Sequence, residues 1–240
     1  MHEIKTNHSS EELKNQALAL SVDCVVFGYD HDDNDLKILL IKTETEEFKG
    51  QWSLLGDLIS PSENLNDAAI RILKKRTGME DVYLEQVETF GNTSRHPRGR
   101  VVTVAYYSLI KIEDYILNIE KLDLEARWHS ITEVKHLAFD HYEILHTCYN
   151  RLKRGLRERP VGFSMLPKKF TLQQLQDLYE VVLHIKLDRR NFRRKLQAYD
   201  ILVKLPESQT GVNHRPAKYY AFDQAKYEEL IKQGKTFRIP

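Results

Sequence analysis

The sequence contains few cysteines and no long apolar run. Cys24 and Cys148 are its two cysteines, which is too few for a disulfide framework, and neither stands in a metal-binding spacing. No apolar run approaches the roughly 18 residues that a membrane-spanning helix needs, and the polar N-terminus lacks the apolar core of a signal peptide. These absences exclude a membrane protein, a secreted disulfide scaffold and a zinc ribbon. We therefore expect a cytoplasmic location.

The net charge of +1 conceals a strong separation of charge along the chain. Residues 1–150 contain 16 Lys and Arg against 26 Asp and Glu, whereas residues 151–240 contain 20 Lys and Arg against 9 Asp and Glu. This separation indicates that only the second part meets a polyanion. Two domains that attract each other would show the same pattern, so the charge alone leaves both explanations open.

The first part of the chain mixes short apolar strands with helices, which is typical of an α/β sandwich. Strands are predicted at Val22–Tyr29, Leu36–Ile41, Trp52–Ile59, Val82–Phe90, Val101–Ile110 and Ala126–Ile131. Leu65–Thr77 has helical periodicity and is followed by Gly78, a residue type that commonly ends helices. Residues 151–160 are basic and end in proline, so we place the link between two domains there. Residues 1–155 then form the first domain and residues 156–240 the second.

The second part contains the segment DRRNFRRKLQAY at residues 188–199. On a helix, Phe192, Leu196 and Tyr199 share one narrow stripe that must be buried, whereas Arg190 points the opposite way. With the helix before it and the hairpin after it, this segment predicts a winged helix-turn-helix, whose arginine and asparagine side chains suit phosphates and base edges. We expect DNA contacts from Arg189, Arg190, Asn191, Arg193, Arg194 and Lys195 on the helix and from His214, Arg215 and Lys218 on the wing.

The alternative for this segment is the solvated helix of a winged helix that binds protein instead of DNA. Five of the seven residues from Arg189 to Lys195 are basic. So many adjacent cations would repel one another unless a polyanion neutralised them, which favours double-stranded DNA as the partner.

Residues 56–79 read GDLISPSENLNDAAIRILKKRTGM and resemble the Nudix box, G-x5-E-x7-R-E-U-x-E-E-x-G-U with U apolar. Alignment on the glycine near its end, Gly78, places Glu63 on the first glutamate of the box and Arg71 on its arginine. Asp57 takes the place of the opening glycine. The resemblance implies that Glu63 and Arg71 form a structural ion pair that holds the loop onto the helix.

The box has lost the residues that carry its chemistry. Nudix hydrolases hold Mg²⁺ with three glutamates of the box helix, and Ile72, Lys75 and Arg76 stand at those positions here. A cationic helix would reject a divalent cation, because like charges about 4 Å apart repel by roughly 4 kcal/mol at an effective dielectric constant of about 20. We therefore expect no metal, no cofactor, no catalytic residue and no hydrolysis.

A cleft that has lost its catalyst can still bind a small molecule. The predicted effector contacts are Trp52, Asp57, Glu63, Arg95 and His96. Core packing or a solvated loop explains each of these residues equally well.

The order of the two parts, a Nudix-like domain with an altered box followed by a basic winged helix, resembles the Nudix-related transcriptional regulators. The sequences LAFDH at Leu137–His141 and FTLQQLQ at Phe170–Gln176 are also similar to that family. The resemblance extends over nearly the whole chain. It implies a fold of mixed α+β and α/β class, with an N-terminal Nudix-like αβα sandwich and a C-terminal winged helix-turn-helix domain.

The same resemblance implies a homodimeric repressor that binds a pseudo-palindromic DNA operator and releases it when a small effector occupies the Nudix-like domain. Because the altered box has lost its phosphate-metal chemistry, we expect a sugar such as L-arabinose as the effector. Two alternatives remain: an ADP-ribose-sensing regulator of NAD metabolism, and an active Nudix pyrophosphohydrolase.

Overall fold

The structure is a computed structural model that describes residues 18–78, 82–113, 125–211 and 215–239. His214, a predicted DNA contact on the wing, lies outside the described residues, as does Met79 at the end of the box. Within the described ranges, no helix is both long and apolar enough to cross a bilayer.

The first domain is built on a mixed β-sheet. Its strands are β1 (Ala19–Asp30), β2 (Asp35–Lys42), β3 (Trp52–Ser53), β4 (Leu55–Leu58), β5 (Tyr83–Phe90), β6 (Val101–Lys111) and β7 (Ala126–Ser130). The strand order is β3–β2–β1–β6–β5, with β4 also paired to β1 and β7 to β2. The pair β1–β6 is parallel, and both strands are buried over most of their length, as is typical of strands covered on two faces.

Two helices cover the two faces of this sheet. Helix α1 (Leu65–Thr77) packs through Ala69 and Ile72 against a cluster that includes Cys24 of β1. Helix α2 (His141–Glu158) packs on the other cluster, which includes Val25, the next residue along β1. Successive side chains of a strand point to opposite faces, so the two clusters lie on opposite sides of the sheet. The predicted αβα sandwich is confirmed.

The predicted winged helix-turn-helix is also confirmed. Its elements are β8 (Phe170–Thr171), α3 (Leu172–Leu183), α4 (Arg189–Tyr199), β9 (Leu202–Ser208), β10 (Lys218–Phe222) and α5 (Gln224–Lys232). The three strands form a separate sheet in the order β8–β10–β9. Thr171 begins α3 with a reciprocal capping box, in which its hydroxyl accepts from the Gln174 backbone N–H and its own N–H donates to the Gln174 side chain.

The link predicted at residues 151–160 is instead helical as far as Glu158. Helix α2 continues to Glu158 and ends at Arg159, directly before Pro160. The apolar face persists along this stretch, since Leu152 and Leu156 are fully buried. The basic residues that suggested a linker therefore occupy the other faces of α2, and the predicted boundary between residues 155 and 156 falls inside the helix. One buried cluster extends from the sheet through α2 into the winged helix.

The strand predicted at Trp52–Ile59 is divided at Leu54. Strand β3 pairs with β2, whereas β4 pairs with β1, so the chain changes its partner at this point. The N–H of Leu54 pairs with neither strand and donates instead to Nδ1 of His141, at 3.0 Å. This bond joins the break in the strand to the first residue of α2.

Candidate binding cleft and nucleic-acid interface

A cleft of about 940 Å³ opens beside β1 and β4, at the end of the box helix. Its volume falls in the range of roughly 300–1,000 Å³ that is typical of small-molecule and cofactor sites. Three of the predicted effector contacts, Asp57, Arg95 and His96, line it. The other charged or aromatic side chains of its lining are Asp23, Lys42, Glu44, Arg76, Arg98, Arg100, Phe139 and His141.

The remaining two predicted contacts lie outside this lining. Side chains alternate along β3, and Ser53 lines the cleft whereas Trp52 does not. The Trp52 ring packs edge-on against the ring of His129, with 4.5 Å between the ring centroids. Glu63 is held in the loop before α1 by Arg71. The structure therefore gives both side chains packing or ion-pair partners away from the cleft.

A buried ionic cluster forms one wall of the cleft. The guanidinium of Arg95, whose side chain is 4% exposed, donates to both carboxylate oxygens of Asp140, each at 2.8 Å. It also approaches the carboxylate of Asp23 at 3.4 Å. A Cβ added at Gly56 would lie 2.0 Å from Asp23 Oδ1, so glycine is required opposite this carboxylate. Burial lowers the pKa of His141, against the opposing effect of Asp23, which suits a neutral ring that accepts a hydrogen bond.

Several cations line the cleft, and their partners differ. Arg98 pairs with Glu47, with 3.0 Å between Nε and the carboxylate. Arg100 donates from Nη1 to the carbonyl of Gly91 at 2.7 Å. Neither Arg76 nor Arg100 forms an ion pair with an acidic side chain of the described residues. These two guanidinium groups are therefore available to an anionic ligand.

The altered box forms an ion-pair network. Arg71 Nε lies 2.7 Å from Glu63 Oε1, and a second guanidinium nitrogen donates to the carbonyl of Leu58 at 2.9 Å. Asp57, at the opening position of the box, lies 3.3 Å from Arg71 and 3.8 Å from Lys75. The cation at one former glutamate position is thus compensated by an acid at the former glycine position. The like-charge repulsion that the sequence predicted on this helix is correspondingly reduced.

The third altered position, Ile72, is 1% exposed and belongs to the core beneath α1. Within the described ranges, no three His, Cys, Asp or Glu side chains are grouped so that they could hold a metal ion. The residues that the Nudix fold would use for Mg²⁺ do not fit that ion here, because two are cations and one is a buried isoleucine.

Helix α4 exposes a continuous basic face. Asp188 caps it by accepting from the N–H of Asn191 at 2.8 Å, and Phe192 and Leu196 are each 1% exposed. Arg189, Arg190, Asn191, Arg194 and Lys195 are exposed, whereas Arg193 is half-buried. In the part of the chain that the structure describes, none of the five cations of this helix pairs with an acidic side chain. The arrangement suits the phosphates and base edges of a duplex.

The wing contributes two further predicted DNA contacts to the described structure. Lys218 begins β10 and donates from Nζ to the carbonyl of Pro206, at 3.1 Å. Arg215 precedes the strand and is exposed. Both lie in the hairpin that follows α4.

Sequence reasoning missed further side chains of the cleft, among them Asp23, Arg76, Arg98, Arg100, Phe139 and His141. Arg98 and Arg100 belong to the same polar loop as Arg95, so the composition of that loop was a usable signal. Arg76 had been considered as a lost metal ligand and not as a ligand contact. Phe139 belongs to the LAFDH sequence that carries the family resemblance, but only the tertiary fold brings its ring to the cleft.

The fold and these two surfaces define a class of protein: a Nudix domain with an open cleft, joined to a winged helix with a basic face. Residues 17–148 match the family model of the Nudix domain, and residues 162–222 match that of the NrtR DNA-binding winged helix domain. The chain belongs to the NrtR family of Nudix-related transcriptional regulators.

The chain is similar in sequence to proteins from three organisms, and it matches solved structures of one of them. It is 33% identical to the ADPR responsive transcriptional repressor NtrR of Acinetobacter baylyi, over 87% of this chain and 84% of that protein. The structure of Shewanella oneidensis NrtR with a 27mer DNA is 30% identical, with a TM-score of 0.80 over 92% of this chain and 99% of that one. The Nudix domain of the same Shewanella protein with ADP ribose is 32% identical, with a TM-score of 0.50 over 63% of this chain and 99% of that one. An ADP-ribose pyrophosphatase of Methanocaldococcus jannaschii is 30% identical over 60% of this chain and 82% of that protein.

Proposed function

We propose that this protein is an ADP-ribose-responsive transcriptional repressor. The winged helix binds an operator, and ADP-ribose in the Nudix cleft lowers the affinity of the protein for that operator. The observation that carries the effector assignment is the pair of guanidinium groups, Arg76 and Arg100, that line the cleft without an acidic partner among the described residues. A diphosphate would neutralise their charge, whereas a neutral pentose would leave that charge uncompensated.

ADP-ribose thus replaces L-arabinose, the effector that the sequence had led us to expect. The loss of metal ligands argued against a hydrolysed phosphate ester, but it does not argue against a bound one. The relatives that respond to, bind or cleave ADP-ribose support this choice.

We infer that DNA binding depends on α4. Its cations carry no acidic partner in the described ranges, and its buried stripe fixes which face meets the duplex. We infer that Arg190 and Arg194 reach base edges in the major groove, with Arg189, Asn191, Arg193 and Lys195 near them. Lys218, Arg215 and His214 of the wing would then contact the backbone or the minor groove. A homodimer acting in the cytoplasm on a pseudo-palindromic operator would place two such helices in successive major grooves.

We further infer that the cleft binds ADP-ribose without cleaving it. Catalysis by a Nudix box needs carboxylates for Mg²⁺, and this chain presents Lys75, Arg76 and a buried Ile72 at those positions. The similarity to a pyrophosphatase keeps hydrolysis as the alternative. An assay of Mg²⁺-dependent AMP release from ADP-ribose separates the two.

The test combines two measurements on the wild-type protein. A fluorescent duplex, selected by the protein from a random-sequence pool, reports DNA binding by anisotropy with and without ADP-ribose. Thermal unfolding reports the effector, since a ligand at 100 times its Kd adds about 2.7 kcal/mol of stability. We expect ADP-ribose to raise the melting temperature and to weaken DNA binding, and L-arabinose to do neither. Stabilisation by L-arabinose alone would refute the effector assignment.

Matched variants locate the site. Arg76→Glu or Arg100→Glu should weaken ADP-ribose binding, because each replaces a cation of the cleft with an anion. Arg127→Glu, on β7 and away from the cleft lining, is the control and should bind ADP-ribose as the wild type does.

A further inference from the structure

The segment between β7 and α2 forms part of the cleft wall in an unusual backbone conformation. Phe139 has a φ of +55°, in the left-handed region that residues other than glycine rarely adopt. Its ring stacks on His96, with 5.3 Å between centroids and 11° between planes, and packs against Phe48 at 4.5 Å. Strain of this kind persists only where surrounding contacts hold it, and it is concentrated at binding and switch sites.

The next residue, Asp140, occupies the position that normally caps a helix, but it does not cap α2. No backbone N–H of the first turn is bonded to its side chain. Both carboxylate oxygens accept hydrogen bonds from Arg95 instead, each at 2.8 Å. Aspartate is among the best N-cap residues, so two partners compete for one carboxylate: the guanidinium in the cleft and the N-terminus of α2.

Helix α2 leads from this point directly to the winged helix. Its 18 residues span about 27 Å. Tyr149, midway along it, donates its hydroxyl to the carbonyl of Val182 in α3 at 2.8 Å. Leu152 and Leu156 belong to the same buried cluster as Leu175 and Phe192 of the winged helix. Helix α2 therefore connects the wall of the cleft to the DNA-binding domain through packed side chains.

We propose that Asp140 and Phe139 are the positioning residues that couple the cleft to the DNA-binding domain. The inference rests on the proposed function and assigns its regulatory contact. With the cleft empty, the Arg95–Asp140 pair and the His96–Phe139 stack fix the start of α2. When a phosphate of the effector binds Arg95, the Asp140 carboxylate loses its partner. The carboxylate then caps α2, and the direction in which the helix leaves the cleft changes. The LAFDH sequence thus acquires a role beyond packing.

The decisive variant is Asp140→Asn, which keeps the shape of the side chain and its capacity to cap but weakens the pair with Arg95. Without effector, its affinity for the selected duplex should fall at least fivefold, towards that of the liganded wild type, since couplings of this kind are typically 5- to 150-fold. ADP-ribose should bind it at least as tightly as it binds the wild type, because Arg95 no longer has to be released. The residual effect of ADP-ribose on DNA binding should shrink to less than about twofold.

The control is Glu125→Gln, which makes the same change of charge in the ion pair with Arg127, outside the cleft lining. It should leave both DNA affinity and its response to ADP-ribose unchanged. A second variant, Phe139→Gly, keeps the left-handed backbone, which glycine adopts freely, and removes the stack on His96. It should reduce the response in the same direction.

The outcomes separate this inference from the function on which it rests. If ADP-ribose neither stabilises the wild type nor releases DNA from it, the proposed function fails. The coupling is then tested by the DNA affinity of unliganded Asp140→Asn alone. If that affinity equals the wild-type value, or if the variant loses both ADP-ribose and DNA binding, the inference is overturned. The second result would mean that the pair serves folding only.

Discussion

The carboxylate of Glu85 lies 2.8 Å from the guanidinium of Arg159, where β5 of the first domain meets the end of α2. The same carboxylate accepts from Arg151 at 2.7 Å and from the hydroxyls of Tyr83 and Tyr107 at 2.6 and 2.9 Å. The Glu85 side chain is 12% exposed. Burial alone would raise its pKa, but these hydrogen bonds lower the pKa of Glu85 to about 2. This cluster fixes the far end of α2 to the sheet.

Glu85→Gln should destabilise the protein in a pH-dependent way. Because the folded-state pKa is depressed, the carboxylate contributes its full stability above its ordinary value of 4.5 and loses it as the pH falls towards about 2. We expect the free energy of unfolding at pH 7 to fall by roughly 2–3 kcal/mol. Urea unfolding at several pH values measures this, and the gap between variant and wild type should narrow below pH 4.5. Glu207→Gln, in an exposed pair with Lys169, is the control and should change little.

Arg190→Ala and Arg194→Ala should each weaken binding to the selected duplex by roughly 1–3 kcal/mol, the usual value for side chains that read base edges. Both arginines are exposed on α4. Anisotropy titrations at several salt concentrations measure the loss. Arg127→Ala, on β7, removes the same charge elsewhere and should leave the affinity unchanged. Unchanged affinity in the α4 variants would remove these two arginines from the interface.

Elements whose signals are local could be predicted from the sequence. The predicted bounds of α1, Leu65–Thr77, agree with the structure, because an apolar repeat and a terminal glycine specify both its face and its end. Helix α4 also has local signals, because Asp188 provides a cap and Phe192 and Leu196 form the buried stripe. The predicted end of α2 lies too early in the chain, because the basic residues 151–160 suggested a linker. The buried residues Leu152 and Leu156 continue the apolar repeat of the helix through that segment.

The site was less predictable because it depends on contacts between distant segments. Arg95 was expected in the cleft, but its partner Asp140 lies 45 residues away. In the sequence, Arg76 stands out only because it replaces a metal-binding glutamate. That replacement does not reveal that its side chain is a cation able to bind a phosphate. The compensation of Lys75 by Asp57 likewise depends on how the loop folds back onto α1. The loss of the metal ligands led us to expect a sugar effector, although losing the metal removes cleavage and not recognition.

A third prediction concerns the turn between α3 and α4. The carboxylate of Glu180 accepts from Gln176 at 2.8 Å, from Lys186 at 2.9 Å and from the backbone N–H of Leu187 at 3.1 Å. Burial opposes ionisation, yet these hydrogen bonds lower the pKa of Glu180. The Glu180 side chain therefore fixes the conformation of the turn that orients α4.

Glu180→Ala should weaken DNA binding while leaving ADP-ribose binding intact, because it loosens the approach to α4 and not the cleft. Removing the acceptor should also cost about 1–3 kcal/mol of stability, since the N–H of Leu187 loses its partner. Anisotropy with the selected duplex and calorimetry with ADP-ribose measure the two effects. Glu228→Ala, on α5 and bonded to Gln224, is the control. Equal loss of both ligands would indicate general unfolding and contradict the assignment.

The last prediction concerns the altered box. Ile72 is 1% exposed and packs with Ala69 and Leu73 in the core beneath α1. Ile72→Glu should therefore bury an uncompensated carboxylate and destabilise the protein by about 3 kcal/mol or more. Ile72→Leu, which preserves volume, should cost less than about 1.5 kcal/mol. Denaturant unfolding measures both. If Ile72→Glu instead unfolded at the wild-type midpoint and released AMP from ADP-ribose with Mg²⁺, the position would face the cleft. The box would then have lost its chemistry without losing its geometry.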